Sequence, residues 1–179
     1  RYVVEMEKGY ARFATRNIQS DSIVDGEGIR SVIWFQGCSH NCPGCHNPET
    51  HDFNAGELVS LDEMKEQIDE LEYQAGVTFS GGDPMMQVEA LTELAAYVKS
   101  KGMNVWCYTG FTFEELMTLA EKNDNYRKAL EQIDVLVDGK FVMDLKSFDV
   151  QFRGSSNQRI LDVAKSLEKG KAVKITKYK

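Results

Sequence analysis

Three cysteines on one short stretch, Trp34-Phe-Gln-Gly-Cys-Ser-His-Asn-Cys-Pro-Gly-Cys-His-Asn47, carry the strongest chemical signal in the chain. Cys38, Cys42 and Cys45 have the spacing Cys-x3-Cys-x2-Cys, and one loop can turn all three towards a single centre. Thiolates select soft partners, above all zinc and iron–sulfur clusters. A structural zinc site takes four protein ligands, and His40 or His46 would complete a Cys3His set. A cubane cluster held by three cysteines leaves one of its four irons open to a reactant. Spacing alone leaves both readings standing.

A second segment tilts the balance towards the cluster. Ser80-Gly-Gly-Asp-Pro84 follows a short apolar run, Gly76 to Ser80. Without side chains, Gly81 and Gly82 leave the backbone open to close approach by a ligand bearing ammonium and carboxylate groups. The plain alternative is a strand-to-helix turn, with Pro84 at the first helical position.

The elements around these segments are periodic. Ile29 to Phe35 is almost wholly apolar, as in a strand covered on both faces. Similar runs recur at Gly76–Ser80, Met103–Tyr108 and Ile133–Val137. Helical patterns lie between them. Ser60 to Glu63 and Thr112 to Glu115 read as capping boxes. Leu61, Met64, Ile68 and Leu71 then recur at helical spacing, as do Val88, Leu91, Leu94 and Val98. Asp124 is placed as the cap of a short helix carrying Tyr126 and Leu130. Strands alternating with helices predict an α/β fold with parallel strands and outer helices. A closed eight-stranded barrel needs about 250 residues, so a partial, open (β/α) barrel or a doubly wound sheet is expected. In both, ligands gather at the C-terminal strand ends. The cysteine loop, Gly81-Gly82-Asp83, Thr109-Gly110 and Asp138-Gly139-Lys140 all fall there. Asp138 and Lys140, two apart, are expected to face the same way.

The chain has 179 residues, 42% hydrophobic and 27% charged, with a formal net charge of −7. One domain over residues 1–179 is predicted, with residues 1–22 as an N-terminal extension, an edge strand or a flap. The acidic balance excludes a basic field for nucleic acid or anionic membrane. No run is long enough for a membrane span and no signal pattern opens the chain, so a cytoplasmic protein is expected. Cys107 reads as a small buried apolar residue. His51 carries no assigned role.

Taken together, the motifs resemble those of the glycyl-radical-enzyme activases, within the radical S-adenosylmethionine superfamily. Val24-Asp-Gly-Glu-Gly-Ile-Arg30, Gln36-Gly-Cys38 and Thr78-Phe-Ser-Gly-Gly-Asp-Pro84 are similar to that family's signatures. Asp138-Gly-Lys-Phe141 and Arg153-Gly-Ser-Ser-Asn-Gln158 resemble the members that serve an anaerobic (class III) ribonucleoside-triphosphate reductase. The pyruvate formate-lyase activases are the nearest alternative, and a non-catalytic zinc module is the alternative outside enzymes. The resemblance implies a [4Fe-4S] cluster on Cys38, Cys42 and Cys45, with S-adenosylmethionine on the fourth iron. It implies cofactor contacts from Gly81 and Gly82, and from Thr109, Asp138 and Lys140 near the ribose or carboxylate. An aromatic residue common before the last cysteine is Gly44 here, so the adenine contact is assigned to the backbone around Gly44 and to His46, with Cys45 also counted among the cofactor-binding residues. The implied partners are the reductase's large catalytic subunit, through its glycine-bearing loop, and an external electron donor such as flavodoxin or ferredoxin.

Overall fold

The computed structural model describes residues 9–40, 42, 45, 48–72 and 74–178. Eight strands form one mixed sheet: β1 Tyr10–Phe13, β2 Gln19–Ser22, β3 Arg30–Phe35, β4 Glu57–Ser60, β5 Gly76–Gly81, β6 Asn104–Tyr108, β7 Val135–Asp138 and β8 Arg159–Asp162. Their order is β4-β1-β3-β5-β6-β7-β8, with β2 also on β3. The four central strands, β3, β5, β6 and β7, are parallel. They are the four strands expected from the apolar runs. The flanks are antiparallel: β1 and β2 pair with β3, β4 with β1, and β8 with β7. The order ends on β4 at one edge and β8 at the other, so the sheet is not closed.

The antiparallel flanks correct the expectation of parallel strands alone. β1 lies between β3 and β4, so Tyr10–Phe13 is an interior strand and not an edge or a flap. Ala11 and Phe13 point into the core while Tyr10 stays exposed. Four-residue strands of this kind carry too little alternation to separate from loop by pattern. Residues 1–8 of the predicted extension lie outside the described residues.

Five helices follow the sheet: α1 Leu61–Asp69, α2 Val88–Ser100, α3 Phe113–Lys122, α4 Asp124–Glu131 and α5 Val163–Lys169. Ser60 caps α1 by accepting from the Glu63 N–H. The Thr112 box is complete in both directions, as expected. Before α4 the cap is Asn123, one residue ahead of the predicted Asp124. Alternation along the strands turns Ile33, Phe35, Val77, Phe79, Val105, Cys107, Leu136 and Leu161 to one face. There they join a single apolar cluster with buried residues of all five helices. A doubly wound sheet carries helices on both faces, so that alternative is excluded. Trp106, Val137 and Ile160 belong to the other face, covered by Phe152, Ile175 and Tyr178. Among the described residues no helix is long and apolar enough to cross a membrane.

Because α3 starts on a two-way capping box, Thr112→Ala is expected to lower unfolding stability by about 1 kcal/mol. Chemical denaturation of both proteins checks this, and an unchanged midpoint would contradict it.

Candidate functional site

The candidate site is a cavity of about 430 Å³ on the helix-free side, at the C-terminal ends of the parallel strands. Cys38, Cys42 and Cys45 line it together with Gly81, Gly82, Thr109 and Lys140. All three cysteines are free thiols.

The base of the cysteine loop is fixed by its own two ends. The Gly37 N–H donates to the Thr50 carbonyl at 2.7 Å and the Cys38 N–H to the His51 carbonyl at 3.1 Å. Gln36, buried where β3 ends, reinforces the closure. Its Nε2 donates to the Glu49 and Asp52 carbonyls at 3.0 and 2.8 Å. The Gly81-Gly82 turn then lies backbone against backbone on this loop. The Gly82 N–H donates to the Phe35 carbonyl and the Asp83 N–H to the Gly37 carbonyl, both at 2.8 Å. A Cβ on Gly82 would sit 2.5 Å from the Gly37 oxygen, a distance no side chain tolerates. At Gly81, φ is +105° and a Cβ would meet the Phe35 oxygen at 2.3 Å. Both glycines are therefore needed to bring the two loops together.

Asp83 is the residue that sequence reasoning passed over. It is 1% exposed. Its Oδ1 accepts from the Met85 N–H at 3.0 Å and the Thr109 hydroxyl at 2.9 Å. Its Oδ2 bonds His40 Nε2 at 2.6 Å and accepts from the Gly110 N–H at 2.9 Å. The carboxylate thus joins the ends of β5 and β6 to the middle of the cysteine loop. Its place in a Gly-Gly-Asp-Pro turn was legible, but its reach to residues 26 and 43 positions away was not.

The other predicted residues divide. Thr109 is buried and spends its hydroxyl on Asp83. Lys140 is exposed on the cavity wall and has no acidic partner among the described residues. Asp138 does not line the cavity. It is fully buried on the helix side, where it accepts from the Phe113 N–H at 2.8 Å and from Arg159 Nε at 3.0 Å. A second Arg159 nitrogen closes the pair at 2.5 Å. Asp138 and Lys140 fail to share a face because Gly139, at φ +97°, breaks the alternation between them. Gly44 and His46 lie outside the described residues. His51, given no role, lines the cavity, as do Asp25, Tyr108, Phe152 and Arg153. The Arg153–Gln158 loop is the far wall. Gln158 accepts from the Gly154 N–H at 2.8 Å and donates to the Gly139 carbonyl at 3.0 Å.

The electrostatics suit metal thiolates only once a metal arrives. Burial pushes the Cys38 thiol up to about 11, with the nearby Asp83 charge adding to it. Burial also raises Cys42, while the Lys140 ammonium pulls it back. Metal binding must then displace thiol protons. Among the described residues no three His, Cys, Asp or Glu side chains are grouped closely enough for one ion. A four-iron cluster does not require that, since its thiolates sit on separate irons. Three free thiols on one cavity beside a side-chain-free turn fit such a cluster.

Residues 24–161 match a family model described as a 4Fe-4S single cluster domain. The anaerobic ribonucleoside-triphosphate reductase-activating protein of Salmonella typhimurium is 37% identical over 145 residues, 76% of this chain and 90% of that protein. The chain belongs to this family of activating proteins. Members from Haemophilus influenzae and Enterobacteria phage T4 are 36% and 34% identical, over 77% and 76% of this chain and 90% and 86% of theirs. The matched segment takes in the cysteine loop, the Gly-Gly-Asp turn and the Arg153–Gln158 wall.

Asp138→Asn is expected to cost about 1–3 kcal/mol, because it leaves Arg159 short of its buried partner. Iron content after reconstitution should stay at the wild-type value. Loss of iron with unchanged stability would return Asp138 to the cavity.

Proposed function

We propose that this activating protein is a cytoplasmic, single-domain radical S-adenosylmethionine enzyme. On this reading its open sheet is a partial barrel of the type used by that superfamily. It acts on the large subunit of an anaerobic ribonucleoside-triphosphate reductase and installs a glycyl radical there. The observation that carries the reading is the meeting of three free cysteines and the Gly81-Gly82 turn on one cavity at the strand ends.

Cys38, Cys42 and Cys45 would hold three irons of a [4Fe-4S] cluster and leave the fourth open for S-adenosylmethionine. With one electron from an external donor such as flavodoxin or ferredoxin, that pair would supply reductive cleavage of the sulfonium S–C5′ bond to methionine and a 5′-deoxyadenosyl radical, which would take hydrogen from the partner's glycine Cα. The chain's own residues bind, orient and shield. The N–H groups of Gly82 and Asp83 are spent on the Phe35 and Gly37 carbonyls, so the Gly-Gly turn offers acceptors, which an ammonium group needs. Lys140, a cation without an acidic partner among the described residues, suits the cofactor's carboxylate. Trp34, Tyr108 and Phe152 give the cavity aromatic walls that limit water around a reactive species. The Tyr108 hydroxyl donates to the Phe152 carbonyl at 2.6 Å, and burial raises its pKa, so it stays a neutral strut. Gly44 and His46 remain assigned to the adenine.

Anaerobic reconstitution followed by iron analysis and reduced-state electron paramagnetic resonance tests the proposal. Close to four irons per chain, and a signal that shifts on adding S-adenosylmethionine, are expected. Cys38→Ala, Cys42→Ala and Cys45→Ala should each abolish reductive cleavage, and Cys107→Ala should retain it. Stoichiometric zinc without iron, or full cleavage by any of the three variants, would sink the reading.

A further inference from the structure

His40 lies midway between Cys38 and Cys42, and its side chain reaches the residues that follow β5 and β6. Its Nε2 meets Asp83 Oδ2 at 2.6 Å. Its ring stands edge-on to Phe111, with centroids 4.7 Å apart at 78°. The ring is 6% exposed. The third wall of its slot is Gly110. A Cβ built there would lie 2.4 Å from His40 Cδ2 and 2.7 Å from Nε2, and its three nearest heavy atoms all belong to this ring. Gly110 has no positive φ, so the backbone does not demand glycine. The ring does.

We infer that His40 is a positioning residue for the cluster, seated in a slot made by Asp83, Phe111 and Gly110, and that Gly110 is glycine to leave room for it. The inference rests on the proposed cluster site. The cysteine loop is tied at its base by Gly37 and Cys38. Beyond Cys38 the His40 ring ties the loop to the sheet, fixing how Cys38 and His40 lie against the strand ends. Thr109 supports the same arrangement at one remove, by donating to both Asp83 oxygens. Its hydroxyl serves the strut, while Thr109 itself lines the cavity. Displacing the ring frees the loop, and the thiolates then hold iron less firmly.

The test uses the full chain with its reconstituted cluster: Gly110→Ala, His40→Ala and the double variant, with iron release to a chelator under anaerobic conditions as the readout. Each single variant is expected to take up iron and release it roughly tenfold to a hundredfold faster than the wild type, the range seen when a ligand's outer support is removed. The reduced-state resonance should broaden in both. The double variant should release iron no faster than His40→Ala, because Gly110 acts only through the ring it accommodates. Wild-type release by either single variant overturns the inference, as does an additive double variant. If His40→Ala takes up no iron with all three cysteines intact, His40 is a ligand and not a strut, and the inference falls. A wild-type chain that takes up no iron removes the proposed function, and this inference with it.

Discussion

A single buried carboxylate holds the candidate site together. Asp83 is almost fully enclosed, and both its oxygens are occupied by donors from three separate places: the turn that follows it, the end of β6, and the cysteine loop. A buried carboxylate without such donors would be expensive, and one surrounded by them becomes rigid. Replacing any donor leaves charge under-satisfied, so the three segments are bound into one arrangement. The candidate cavity is shaped by this arrangement.

The glycines perform the complementary task. Asp83 pulls the loops together, and Gly81 and Gly82 let them come as close as backbone allows. Sterics and hydrogen bonding therefore act on the same few residues. Their energetic effects are not separable, since a Cβ at Gly82 would also move the N–H that Asp83 donates to Gly37.

How far the sequence discloses this depends on the range of the interaction. The four parallel strands were legible because covering both faces demands continuous apolar runs. The helix starts were legible because caps are local. The three cysteines and two glycines announced themselves by type and spacing, and all five described members line one cavity. β1 and β4 were not legible, because four residues carry little periodicity and their pairing is decided by β3. Asp138 was misplaced because the rule that residues two apart share a face fails across Gly139. The pairing of Asp83 with His40 was not legible because their bond joins positions 43 apart, and neither residue type specifies a partner at that distance.

The wall opposite the cysteines has different moorings. Gly154 to Gln158 hangs on carbonyls of Gly139, Lys140 and Leu145, through Gln158, Asn157 and the Ser156 N–H. None of these bonds touches the cysteine loop or the Asp83 strut. The two walls nonetheless meet one step away, at the end of β7: the Gly139 N–H donates to the Phe111 carbonyl, Phe111 packs on the His40 ring, and the Phe141 backbone bonds the Cys42 thiol. Substitutions along residues 139–141 are therefore felt on both walls of the cavity, and variation in one wall is constrained by the other.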